Sequence, residues 1–241
     1  GVPRPSTLIS WVESVPSGFT FCLKFPRAIT HEKRLVDCKP DTLIFLDVLR
    51  SLGEAAAPGL IQFPPDFSRS RYGKRLADYL DWLAGQLDTI RVGIEVRSPD
   101  LMTPAFATFL AERGMAYVLV DREQTPDAYP CWEELVTAGT APSFALLRWI
   151  GDDQNGPQGN DQLVAPRDTQ LDAWAQQLSR LHQAGIEIYG YMHNPYEGHS
   201  PASVRRLQER LAPVIPLPSW PPVGTKIPKL AEDQPGQLTL F

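Results

Sequence analysis

Short apolar stretches rich in β-formers alternate along this chain with longer runs whose apolar residues recur at three- and four-residue intervals. The short stretches lie at residues 19–25, 59–63, 91–96, 115–120, 144–149 and 186–192. Cores such as Val118-Leu119-Val120 and Ile186-Glu187-Ile188-Tyr189 suit buried parallel strands. The longer runs predict helices over 6–15, 40–52, 70–87, 103–113, 167–184 and 201–211. Thr103-Pro104 opens one helix and Gly114 closes it; Gly53 and Gly185 close two others, and Pro213 follows the last. Such strand–helix alternation predicts an α/β fold built on parallel strands.

The count of strands narrows the fold further. A glycine-rich first turn, which would announce a doubly wound dinucleotide fold, is missing. The expectation is a TIM-type (β/α)8 barrel, whose closure requires eight strands. Six are visible, and the chain opens on a helix without an initiating Met. The first strand, its helix and a second strand are therefore expected to be lacking, on the order of 50–60 residues. An open six-stranded sheet is the alternative. The barrel domain is expected over 1–218. Prolines at 213, 216, 218, 221, 222, 228 and 235 predict an extended tail over 219–241.

Composition changes this picture little. With 43% hydrophobic and 21% charged residues over 241 positions, the chain can bury a core without metals or disulfides. Net charge is -5, so nucleic-acid contact would need a local basic patch. Cys22, Cys38 and Cys131 form no CxxC pair, which fits reduced thiols and a cytoplasmic setting. No apolar run approaches the roughly 20 residues that span a bilayer, so no membrane partner is expected.

Chemistry in a barrel of parallel strands sits at the strands' C-terminal ends. Here each strand ends in polar groups: Lys24 then His31, Gln62, Glu95 with Arg97, Asp121, Arg148, and His193-Asn194. Charges of this kind are costly to bury alone, so Lys24, Glu95, Asp121 and Arg148 are expected to meet around one opening. Lys24 and Arg148 suit phosphate or carboxylate, with His31, Gln62, Arg97, His193 and Asn194 as further ligand-binding candidates. Glu95 and Asp121 are the candidate catalytic acid and base, or else hold the cations in place. His31, His182, His193 and His199 show neither HxH nor HExxH spacing, so the sequence offers no metal motif and predicts no particular cofactor. A metal set drawn from His31, Glu95, Asp121 and His193 is the alternative.

The segments that carry these groups are FTFCLKFPRAITHEKRL (19–35), GLIQFPPDF (59–67), VGIEVR (92–97), LVD (119–121), LRWIG (147–151) and HNPYEGHSP (193–201). In combination they resemble the YecE-like family, domain of unknown function 72. The resemblance implies a TIM-type barrel shaped like the endonuclease IV and xylose isomerase group, with no established activity to transfer. Its matching positions are Lys24, Thr30, His31, Gln62, Pro64, Pro65, Glu95, Arg97, Asp121, Arg148 and Asn194. The family's opening G-T-S-G-W and V-E-I-N segments are absent. Ile150 stands where the family has a histidine, and His193 where it commonly has the first of two asparagines.

The chain ends Gln237-Leu238-Thr239-Leu240-Phe241, which resembles the bacterial sliding-clamp-binding pentapeptide. Leu238, Leu240 and Phe241 would fill a hydrophobic groove while the Gln237 amide sets register. The leading expectation is thus a DNA-maintenance protein that binds nucleic acid or a phosphorylated ligand and docks on the clamp. A small-molecule enzyme or binder acting on a phosphorylated sugar or another anion, and a recognition scaffold without turnover, are the alternatives.

Overall fold

The computed structural model describes residues 2–217, so the expected tail and its terminal pentapeptide lie outside the described residues. Six strands run parallel in two sheets: β1 (Gly59–Gln62), β2 (Val92–Glu95) and β3 (Ala116–Tyr117), then β4 (Leu119–Arg122), β5 (Phe144–Gly151) and β6 (Glu187–Met192). The intervening helices are α1 (Pro5–Glu13), α2 (Lys39–Ser51), α3 (Arg69–Leu87), α4 (Pro104–Ala111), α5 (Tyr129–Ala138), α6 (Asp168–Gln183) and α7 (Ser200–Leu211). A π-helical turn, Ala28–Glu32, precedes α2. None of the described helices is long and apolar enough to cross a membrane. Cys22, Cys38 and Cys131 are free thiols.

The expected (β/α)8 barrel is not what forms. No closed barrel exists among the described residues; two three-stranded sheets stand in its place. Two of the six anticipated strands behave differently, each for a local reason. The run 115–120 changes partner midway: Ala116 and Tyr117 pair with β2, while Leu119 onwards pairs with β5. Residues 19–25 reach β1 through isolated bridges only, Phe21 to Ala56 and Lys24 to Leu60. Pro58, which lacks an N–H, interrupts the ladder between those two bridges.

The array nevertheless curls. Leu60, Val118, Val120, Leu146 and Ile150 form one buried cluster drawn from both sheets. Cys22, ahead of β1, and Tyr189 and Tyr191, on β6, pack on that same cluster. A flat sheet would hold those two margins far apart. Gly93 makes the tight curvature feasible, because a β-carbon there would come within 2.8 Å of Val118 Cγ2. At the N-terminal end of the strands Arg91 ties β2 to β6, donating to Glu187 and, at 2.5 Å, to the Tyr189 hydroxyl.

The opposite face of the strands carries the main core. Ile61, Ile94, Tyr117, Leu147 and Trp149 pack there against Leu46, Leu80, Leu110, Leu135 and Leu178 from five helices. Helix α5 was not among the expected helices. It fills the interval between β4 and β5, ends at the left-handed Gly139, and buries Trp132 completely. The Trp132 indole N–H donates to the Tyr117 carbonyl at 2.7 Å, beside the point where the chain changes sheet.

Trp132→Ala should therefore cost about 3–5 kcal/mol, through lost burial and the cavity left behind. Trp132→Phe should cost about 1–3 kcal/mol, mostly for the orphaned carbonyl. Urea denaturation of the two variants measures both, and equal losses would contradict a role for the hydrogen bond.

Candidate functional site

Strand alternation places every second residue on the concave face. Glu95 and Arg97 follow Gly93 on that face, Arg148 follows Leu146, and His193 follows Tyr191. Glu95 is fully buried. One carboxylate oxygen accepts from Arg97 Nε at 3.0 Å and the other from Arg148 at 2.6 Å, so the acid is engaged on both sides. Arg148 also donates to His193 Nε2 at 2.9 Å. A guanidinium can only donate, which makes this nitrogen an acceptor and the ring neutral, with its proton on Nδ1. Lys24, open to solvent, donates to the Gln62 amide oxygen. Partial burial lowers the Lys24 pKa, with Arg148 acting in the same direction.

His31 lies in the π-helical turn, and its Nδ1 is 2.7 Å from the Thr30 hydroxyl. Its pKa is held down by burial and then by the charges of Arg27, Lys24, Arg34 and Arg97. That set of neighbours places the turn beside the same recess. Mid-chain π-turns are uncommon and often sit at functional sites.

Two expected members are elsewhere. Asp121 turns to the helix-facing side, where one of its oxygens accepts from Trp174 Nε1 at 2.7 Å and from the Tyr196 hydroxyl at 2.9 Å. It borders a separate 220 Å³ cavity with Gln170 and Gln177 of α6. The alternation explains this: Val120 points into the concave cluster, so its successor points away. Asn194 caps α7, accepting from the Ser200 amide at 2.9 Å. The anticipated convergence thus holds Lys24, Glu95 and Arg148 but not Asp121. The alternative metal set does not assemble either, since no group of three His, Cys, Asp or Glu is gathered among the described residues.

Sequence reasoning passed over Cys22 and Tyr191, which line the recess beneath Lys24 and His193. Period-two spacing from those two residues would have found them. Burial pushes the Cys22 thiol up, so it is a poor nucleophile. Arg27 and Arg34 were also missed, because they act from the turn and not from a strand. The glycine-rich loop after β5 is pinned nearby: Arg122 Nε donates to Asp153 at 3.0 Å, and fully buried Glu197 accepts from the Arg167 amide at 2.7 Å.

Burial, then the adjacent Arg148 charge, lowers the His193 pKa from 6.5 to about 4. The unfolded chain therefore binds the extra proton first, and His193 contributes stability that is lost as pH falls from about 6.5 towards 4. Denaturation midpoints measured across that window should decline more steeply for the wild type than for His193→Gln. Parallel curves would show that His193 is not withheld from protonation.

The fold is shared with known proteins. The UPF0759 proteins YecE of Escherichia coli O157:H7 and of Escherichia coli strain K12 are each 26% identical over 231 residues, 89% of this chain and 80% of theirs. A DUF72 family protein from Enterococcus faecalis V583 superposes with a TM-score of 0.69 at 21% identity, over 88% of this chain and 81% of that one. Another, from Thermotoga maritima MSB8, does so with a TM-score of 0.64 at 21% identity, over 86% and 78%. The model of the family described as "Protein of unknown function DUF72" matches residues 1–223. This chain, a parallel α/β array matched by that model over most of its length, belongs to the DUF72 family.

Proposed function

We propose that this chain binds a phosphorylated or otherwise anionic ligand in the concave recess. One observation carries the reading. Three cationic side chains, Lys24, Arg97 and Arg148, stand around a single carboxylate, Glu95. The local balance is 3 − 1 = +2, on a chain whose net charge is -5. Glu95 neutralises part of the guanidinium charge and fixes both planes, leaving their remaining N–H groups able to donate to an oxyanion. Gln62 orients the Lys24 ammonium and His193 restrains Arg148. With both oxygens occupied, Glu95 serves better as a positioning group than as an acid or base. Asp121, on the other face, cannot be its catalytic partner.

A second, separable reading rests on the terminal pentapeptide. We infer that Gln237, Leu238, Leu240 and Phe241 dock on a replication sliding clamp, which would give the anion site a place in DNA maintenance. Its support is the sequence pattern alone. The full chain should be retained by an immobilised clamp and a chain ending at residue 236 should not; equal retention would end this reading.

Inorganic phosphate and pyrophosphate are the probes for the recess. Either should raise the melting temperature of the wild type, since ligand at about 100 times its Kd adds about 2.7 kcal/mol. Lys24→Gln, a change at an exposed site, should lose most of that shift while keeping the unliganded melting temperature. Glu95→Gln should lose about 3–5 kcal/mol of stability and melt at a lower temperature, because two guanidiniums lose their shared counter-charge. Phosphate should recover part of that deficit. Wild-type melting that ignores both anions would overturn the proposal.

A further inference from the structure

The cationic surface does not stop at the recess. Helix α3 opens with the sequence RSRYGKR, and its Tyr72 ring lies under three guanidiniums. The Arg34, Arg71 and Arg75 carbons sit 5.5, 5.3 and 5.5 Å from the ring centroid. Phe67 stacks on Tyr72 at 4.5 Å and 17°, so the ring is fixed. Its π-face offsets some of the repulsion among the three cations. Asp66 is the one carboxylate ion-paired within this group, with Arg34 at 2.7 Å. The balance is again 3 − 1 = +2. Arg75 donates to the Arg34 carbonyl at 3.2 Å, which ties helix and turn together.

Arg34 reaches this position through strained backbone. Arg34, Leu35 and Asp37 all have positive φ, at 46°, 67° and 45°. Non-glycine residues held so are costly, and such strain concentrates at functional sites. Arg34 and Arg27 also flank His31, whose other charged neighbours are Lys24 and Arg97 in the recess. Arg27 and Arg34 bracket the π-helical turn that carries His31, and Arg34 meets Arg71 and Arg75 at Tyr72, so the turn links the cations of the recess to those at the start of α3. Arg27 and Arg71 are exposed and form no ion pair among the described residues.

We propose that this track binds the phosphodiester backbone of single-stranded nucleic acid, with one phosphate seated in the recess and the following ones along the start of α3. The proposal rests on the anion-binding reading of the recess and extends it to a ligand class. A compact anion would have no use for the arginines around Tyr72. Two sizeable cavities, of 500 Å³ beside β6 and 580 Å³ beside the glycine-rich loop, include neither Lys24 nor Arg148. Lys24 is exposed while Glu95, paired in register with Gln62, the partner of Lys24, is fully buried, so the site opens outward from a buried floor. A duplex cannot put one phosphate into a hollow while its partner strand stands clear, whereas an unpaired strand can. Electrostatic tracking of a backbone by a basic groove is the usual mode for such ligands.

The test uses the full chain and a fluorescein-labelled oligothymidylate of about 12 nucleotides, within the usual site size for one strand-binding module. Fluorescence anisotropy should show binding that weakens with salt. The double variant Arg71→Gln/Arg75→Gln changes only exposed side chains that lie away from the recess and form no ion pair among the described residues, so it should fold as the wild type does. Its log–log salt slope should be shallower by about 1.4, at about 0.7 per lost phosphate contact on a single strand. The same variant should keep the phosphate-induced melting shift, which Lys24→Gln loses. An unchanged salt slope, or a wild type that responds to phosphate but ignores the oligonucleotide, would overturn the track and leave the recess reading standing. Equal affinity for poly-glutamate or for phosphatidylserine vesicles would also overturn it, since any polyanion would then suffice.

Discussion

The buried Glu95 carboxylate, held between Arg97 and Arg148, is the constraint on which the functional face depends. A fully buried acid is tolerable only when its charge is met and its oxygens are satisfied. Here one guanidinium comes from just beyond the acid's own strand and the other from β5, across the sheet break. The pair therefore joins the two sheets, and it does so from the concave side, where the apolar cluster alone is small. The same contacts aim two guanidiniums at a common point. At Glu95, one arrangement both joins the sheets and orients the two guanidiniums.

The two ends of the concave face are treated differently. At the N-terminal end, Arg91 is spent on Glu187 and Tyr189 and lies near the Phe144 ring at 5.6 Å, so its charge is neutralised internally. At the C-terminal end, Arg97 and Arg148 share the single carboxylate of Glu95, and Lys24 is held by the Gln62 amide and not by an acid. A chain that is acidic overall thus concentrates positive charge on one edge, which is what steering of an anion requires. Backbone strain at Arg34, Leu35 and Asp37 lies on this same edge. The strain is supported by a large apolar core on the helix-facing side, which includes Ile29 and Leu35 from the turn itself.

Much of the fold was legible because its physics is local. Caps, glycine stops and three-to-four spacing located α2, α3, α4, α6 and α7 to within a residue or two. Helix α5 was passed over: its buried face, Tyr129, Cys131, Trp132 and Leu135, does recur at three- and four-residue steps, but over only 10 residues and with Pro130 in the first turn. The strand over 115–120 was also misleading, since uniform hydrophobicity cannot reveal that pairing passes from β2 to β5 at Val118. Barrel closure is a non-local property of the same kind. It depends on strand count and on which edges meet, and the expectation of a complete (β/α)8 topology failed there.

The candidate site divides along the same line. Sequence by itself determined that polar residues end the strands, and that Glu95, Arg97, Arg148 and His193 could share a face, because alternation is built into an extended backbone. It also determined the residue chemistry carried on that face. Tertiary structure decided the rest. Strand phase sent Asp121 to the helix side, the α7 cap claimed Asn194, and chain reversal through a π-turn brought Arg27, His31 and Arg34 to the recess. Those outcomes depend on how separate segments pack in space, and no spacing along a single chain encodes that directly.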